Sequence, residues 1–161
     1  MPVELRCETA HGRRFARALR ADARSLLDAA GFAEHELSVL IVDDAAIRVL
    51  NRNYRRKDRA TDVLSFPQQE TPSDVRCRSG ANEAMLGDVV ISIETVLRQA
   101  KELNLSPRKR LRQLLAHGLT HLLGYDHERS PAEARRQFAR ERELLGRLGP
   151  ARTPGKARVA R

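Results

Sequence analysis

The chain has 161 residues, 41% of them hydrophobic and 4% aromatic with no Trp, and its 30 Lys and Arg against 21 Asp and Glu give a net charge of +9. That is room for one domain with an aliphatic core, while no apolar run nears the roughly 18 residues of a membrane span and "MPVELRCETAHGRR" at the amino end lacks the apolar centre of a signal peptide. A cytoplasmic protein without membrane contact is expected, with a surface that attracts polyanions and pairs with phosphate, although Arg-rich composition can also reflect codon usage alone.

In chain order, "VELRCE" (3–8) alternates apolar and polar residues as a strand does. From about Arg13 to Ala30, Phe15, Ala18, Leu19, Leu26 and Leu27 fall near one helical face, and Gly31 suits the helix stop. "ELSVLIVD" (36–43) reads as a buried strand. Asp43 or Asp44 can then cap a helix carrying Ile47, Leu50 and Tyr54 on one side. "DVLSFP" (62–67) and "MLGDVVISI" (85–93) are two further strands around a long polar loop, 68–84, either a functional lid or a disordered insert. A helix covers about 93–103. Ser106 and Pro107 start the next one, with Leu111, Leu114, Leu115, Leu119 and Leu122 as its apolar face and Gly124 ending it. "SPAE" (130–133) opens a last helix to about 148. This order predicts an α/β (α+β) single domain over 1–148, a mixed sheet of about four strands covered by about five helices. The basic tail 149–161 is expected to be disordered. Cys7 and Cys77 show no bridge framework or ligand spacing, so free thiols are expected.

The chemistry gathers in "HGLTHLLGYDH" (117–127), which holds three of the five histidines. Residues i and i+4 share a helix face, so His117 and His121 can point at one spot. Gly124 lets the chain leave the helix and "GYD" can bring His127 back. Three neutral imidazoles on a divalent cation leave coordination positions open, as in catalytic zinc sites, where the pKa of bound water falls to about 7. The spacing matches the metzincin protease pattern, but the Glu that serves there as general base is Gly118 here. Gly within a helix costs about 1 kcal/mol relative to Ala, and room for a substrate or backbone near the metal is one reason for it. Upstream, Arg52, Arg55, Arg56, Lys57 and Arg59 offer many phosphate donors, against which stands a plain solvated charge run. Asp58 can cap or pair locally. Asp126 and Asp88 can orient a histidine or bind water, or equally be turn and cap residues.

Together "NRNYRRKDRATDVLSFP" (51–67), "LGDVVIS" (86–92) and "HGLTHLLGYDH" resemble the YbeY family of bacterial rRNA maturation factors, over roughly residues 36–148. The resemblance implies a single-strand-specific, metal-dependent endoribonuclease acting on the 3′ end of 16S rRNA and in ribosome quality control. Its implied partners are the 16S rRNA precursor, the ribosome or its small subunit, and ribosomal or assembly proteins. It implies one Zn2+ per chain on His117, His121 and His127, and it makes Arg55, directly after Tyr54, the functionally important arginine near the site, where it is expected to hold the scissile phosphate. Gly118 is the usual residue at its position in that family, which leaves the general base unassigned. Two other readings stand beside this one: a ribosome-assembly factor with a zinc that serves only the fold, and a metallohydrolase of a non-RNA substrate.

Overall fold

The computed structural model describes residues 3–68 and 84–151. Its elements are β1 (Val3–Cys7), α1 (Ala10–Ala29), β2 (Glu36–Val42), α2 (Asp44–Arg55), β3 (Val63–Pro67), β4 (Met85–Ser92), α3 (Ile93–Glu102), α4 (Pro107–Leu122) and α5 (Pro131–Gly146). This is the predicted α/β domain, with four strands and five helices. The strands form one mixed sheet in the order β1-β2-β4-β3. β1, β2 and β4 run parallel to one another, and β3 runs antiparallel to β4 at one edge.

Side-chain alternation along the strands divides the core into two layers. Val39, Ile41, Val89 and Ile91 face the larger layer, where they meet Phe15, Leu19 and Leu26 of α1 and Leu111, Leu115 and Leu119 of α4. Leu40, Val42, Val90, Leu64 and Phe66 face the opposite way and pack on Ile47 and Leu50 of α2. The two faces of the sheet are thus covered by different helices, and α2 and α4 come nearest to a shared rim along the β3 edge.

Each helix starts where a short polar side chain takes up an otherwise orphaned N–H. Thr9, Asp43, Ser92, Ser106 and Ser130 fill this role, and Pro107 and Pro131 open α4 and α5. Because Thr9 Oγ1 accepts from Gly12 N at 3.0 Å, α1 begins at Ala10, three residues before the start predicted at Arg13. The predicted burial of Tyr54 fails as well. It is 47% exposed and sets its ring edge-on to Phe66, with centroids 5.9 Å apart. Beneath α1 and α4, buried Asp22 accepts from Arg108 at 3.1 Å and from Arg112 at 3.0 Å. Arg112 also donates to the carbonyl of Gly149, which holds the chain just beyond α5. Most of the loop 68–84 and of the tail 149–161, namely 69–83 and 152–161, lies outside the described residues. Cys7 is a free thiol, as expected.

Candidate functional site

The last turn of α4 and the reversal after it build one wall of the site. The helix ends at Leu122. Gly124 then takes φ +101°, a left-handed conformation that side-chain-bearing residues avoid. Gly124 N donates to His121 O at 3.1 Å and Tyr125 N to Thr120 O at 3.2 Å, so the chain folds back on the helix it has just left. His127 thereby returns to the helix histidines. Its ring centroid lies 5.0 Å from that of His117 and 6.4 Å from that of His121.

Two of the imidazoles are held by their far nitrogens. His117 Nδ1–H donates to Glu141 Oε1 of α5 at 2.6 Å, and His121 Nδ1–H donates to the Tyr125 carbonyl at 3.0 Å. A nitrogen fixed as donor leaves the other, Nε2, with a lone pair free to bind a metal, and this is the usual anchoring of metal-binding histidines. Burial lowers the pKa of His121, the Tyr125 carbonyl opposes that, and the charge of Arg55 lowers it further. The neutral, ligating form is therefore favoured. Ligand atoms of His121, Asp126 and His127 all lie within 4.8 Å of one another. His117 stands just outside that tight group. Nitrogen donors with one carboxylate oxygen are a donor set that suits zinc. Asp126 also closes a turn through Glu128 N, at 3.0 Å, whereas Asp88 is buried on β4 and does not line the histidine cavity.

The opposite wall comes from the end of α2 and the basic turn after it. Arg55, Lys57 and Arg59 line one cavity of about 180 Å³ together with His117, His121 and His127. Arg52 and Arg56 do not. Arg56 caps α2 in the left-handed region, φ 58°, and this reversal carries Lys57 and Arg59 round to the cavity. Buried Asn51 pins the turn, its Nδ2 donating to Arg59 O at 2.9 Å and its carbonyl accepting from Lys57 N at 3.2 Å. Asp58 pairs locally with Arg48 at 2.9 Å.

A family model described as Endoribonuclease YbeY matches residues 6–149. The chain belongs to the YbeY endoribonuclease family. A relative named Endoribonuclease YbeY from Anaeromyxobacter sp. is 49% identical over 164 residues, covering 99% of this chain and 81% of its own length. Another of that name, from Anaeromyxobacter dehalogenans, is 48% identical over 159 residues, covering 97% and 78%. The solution structure of a Thermotoga maritima protein shares the fold, with a TM-score of 0.57 at 24% identity over 89% of each chain. Membership of the YbeY family extends the match well upstream of residue 36, through β1 and α1, where the sequence offered no recognisable motif.

Within this YbeY framework Gly118 has a different reason from the one expected. It turns away from the cavity, towards the sheet. A Cβ there would lie 2.8 Å from Val89 Cγ1 and 3.2 Å from Ser65 Oγ, and Ser65 Oγ donates to its carbonyl at 3.2 Å. The glycine lets α4 press on β3 and β4, which carries His117 and His121 to the β3 rim. Two residues of α5 escaped the sequence reading, Glu141 and Gln137. Gln137 is 1% exposed. Its Oε1 accepts from His127 N at 3.0 Å while its Nε2 donates to Thr120 Oγ1 at 3.1 Å, so one carboxamide ties the returning loop to α4. Their only signal in the sequence is i,i+4 spacing on a helix facing α4.

Proposed function

We propose that this chain is a single-strand-specific, metal-dependent endoribonuclease that matures the 3′ end of 16S rRNA and serves ribosome quality control in the cytoplasm. One zinc ion per chain is held by His117, His121 and His127, and Arg55 binds the scissile phosphate. The observation that carries this reading is the convergence of those three imidazoles with Arg55, Lys57 and Arg59 on a single cavity, in a chain whose relatives are named endoribonucleases. A polyanion with a cleavable phosphodiester suits that wall of cations better than a peptide does, and Gly118 supplies no proton acceptor for peptide hydrolysis.

The work divides among the chain's own residues. Glu141 and the Tyr125 carbonyl hold the His117 and His121 rings in one tautomer. Arg55 receives the phosphate through two parallel N–H donors and stabilises the charge that builds on its oxygens. Lys57 and Arg59 neutralise the neighbouring backbone, and the +9 surface supplies affinity without sequence preference. Glu128, at the cavity wall, is a carboxylate within reach to accept a proton. Zinc in this site supplies Lewis-acid polarisation and a more acidic water.

Asp126 gives the assembly-factor alternative a definite form. If it joins the three histidines as a fourth protein ligand, the metal is closed and structural. X-ray absorption of the zinc-loaded protein decides between them, run beside single-turnover cleavage of single-stranded RNA with His117→Ala as the control for contaminating nucleases. Three protein ligands and cleavage that vanishes in His117→Ala are expected. Four protein ligands with no cleavage would establish the structural role, and absence of bound metal would end the metal-dependent reading.

A further inference from the structure

A second cavity, of about 520 Å³, adjoins the first and shares His117, Asp62 and Val63 with it. Its apolar floor is Val63, Leu114 and Leu145. At its mouth stands Phe138 of α5, 61% exposed, the most exposed large hydrophobic side chain among the described residues. One helical turn on, the Arg142 guanidinium lies 5.2 Å from the Phe138 ring centroid. Both acids that line the cavity are already engaged. Glu141 accepts from His117, and Asp62 from Gln99 at 3.2 Å and Arg110 at 3.5 Å. Arg142 forms no ion pair among the described residues, so its guanidinium is left to meet an anion from outside.

We infer that this second cavity is a nucleotide subsite: a base flanking the scissile phosphate stacks on Phe138 above the apolar floor, and Arg142 takes the adjoining phosphate. The inference rests on the endoribonuclease reading. An exposed aromatic ring beside a guanidinium is the pairing with which proteins hold single-stranded nucleic acid, because every base has a π-face and every linkage a charge. Continuity fixes the occupant. His117 lines both cavities, so a strand whose phosphodiester occupies the first delivers its neighbouring nucleotide to the second. A buried apolar partner would leave Arg142 unpaired, whereas RNA supplies both its needs.

The test uses the full zinc-loaded chain and a single-stranded oligoribonucleotide carrying 5-iodouridine at successive positions. Near-ultraviolet irradiation should cross-link one position beside the cleavage point to Phe138, located by peptide mapping. Phe138→Ala should lose that cross-link and raise KM for the oligonucleotide about tenfold, as expected for one lost base–aromatic stack, with kcat and zinc content unchanged. Phe138→Tyr should restore both, whereas Phe138→Leu, which keeps the bulk but not the π-face, should not. Leu103→Ala, at an exposed apolar residue outside this cavity, is the control for surface effects. Wild-type cleavage with no cross-link on α5 and an unchanged KM for Phe138→Ala would overturn the subsite and leave the endoribonuclease reading intact, the patch then being a protein contact or none. Failure of the wild-type protein to cleave any RNA would overturn the reading itself and the subsite with it.

Discussion

Arg55, Lys57 and Arg59 share the histidine cavity, whereas Arg52 and Arg56 lie outside it. A plain charge run would make the four arginines interchangeable, and this geometry does not. Arg55→Ala should cut single-turnover RNA cleavage about a hundredfold, the usual loss for one transition-state donor, with zinc content and folding unchanged. Arg55→Lys should recover little, because an ammonium cannot copy the guanidinium fork. Arg52→Ala and Arg56→Ala should change the rate only slightly; equal losses at all these positions would return Arg55 to the solvated background. At the proposed zinc site, Glu141→Gln keeps a hydrogen bond to His117 but removes the charge behind it, so zinc affinity should fall about 10- to 100-fold, read by competition with a chromophoric chelator. Gln137→Leu removes the acceptor of the part-buried His127 N–H and should cost about 0.5–1.5 kcal/mol in urea unfolding. The approach of the histidines could be read from sequence because helical i,i+4 spacing and a glycine break together bring three imidazoles to one cavity. Gln137 and Glu141 could not, because on a polar helix such residues are ordinary, and only the packing of α5 on α4 turns two of them into clamps.

At the scale of elements, the starts and stops were open to view wherever chemistry is local. Ser106-Pro107, Ser130-Pro131 and Gly124 mark helix ends because caps and left-handed turns depend on a few adjacent residues. The sheet order was not open in this way. β3 and β4 pair antiparallel while β1, β2 and β4 run parallel, and strand direction is settled by packing between distant segments. The seat of α4 on the sheet is testable through Gly118. Alanine there should favour the helix by about 1 kcal/mol, but its methyl would lie 2.8 Å from Val89 Cγ1, and overpacking of this kind costs about 1–3 kcal/mol. Gly118→Ala is therefore expected to be net destabilising and to weaken zinc binding, and Val89→Ala in the same chain should recover part of both, as a double-mutant cycle by thermal unfolding would show. Asp44 clasps α2 to α3, accepting from Ser92 and Thr95 at 2.6 Å each and from Arg98 at 2.7 Å. Burial alone would raise its pKa, but those three donors and the Arg98 charge outweigh it and hold it below the ordinary value of 3.8. A lowered carboxylate pKa stabilises the fold fully above the unfolded value and loses that contribution as pH falls through the folded one. Asp44→Asn should thus reduce stability at neutral pH, and its gap from wild type in urea midpoint should close as the solution is acidified below 3.8.

For the molecule as a whole, the +9 charge is the broadest determinant of binding. Each phosphate contact releases counterions, so RNA affinity should fall linearly in log-log form as salt rises. Removal of 150–161 takes four cations of thirty, leaves the Gly149 carbonyl on Arg112, and should weaken binding only moderately; affinity insensitive to salt, measured by fluorescence anisotropy, would contradict the electrostatic account. The net charge was legible from composition alone, but its division into three cations facing the histidines and many facing water required the fold. The clamps on α5 also have a consequence in time. Synthesis runs from the amino end, so His117, His121 and His127 are all joined to the chain before Gln137 and Glu141. A chain abandoned short of α5 carries every imidazole and the arginine, yet has nothing to set the His117 ring or tether the His127 loop. Completion of the histidine wall therefore waits until α5, the last helix of the domain, is made.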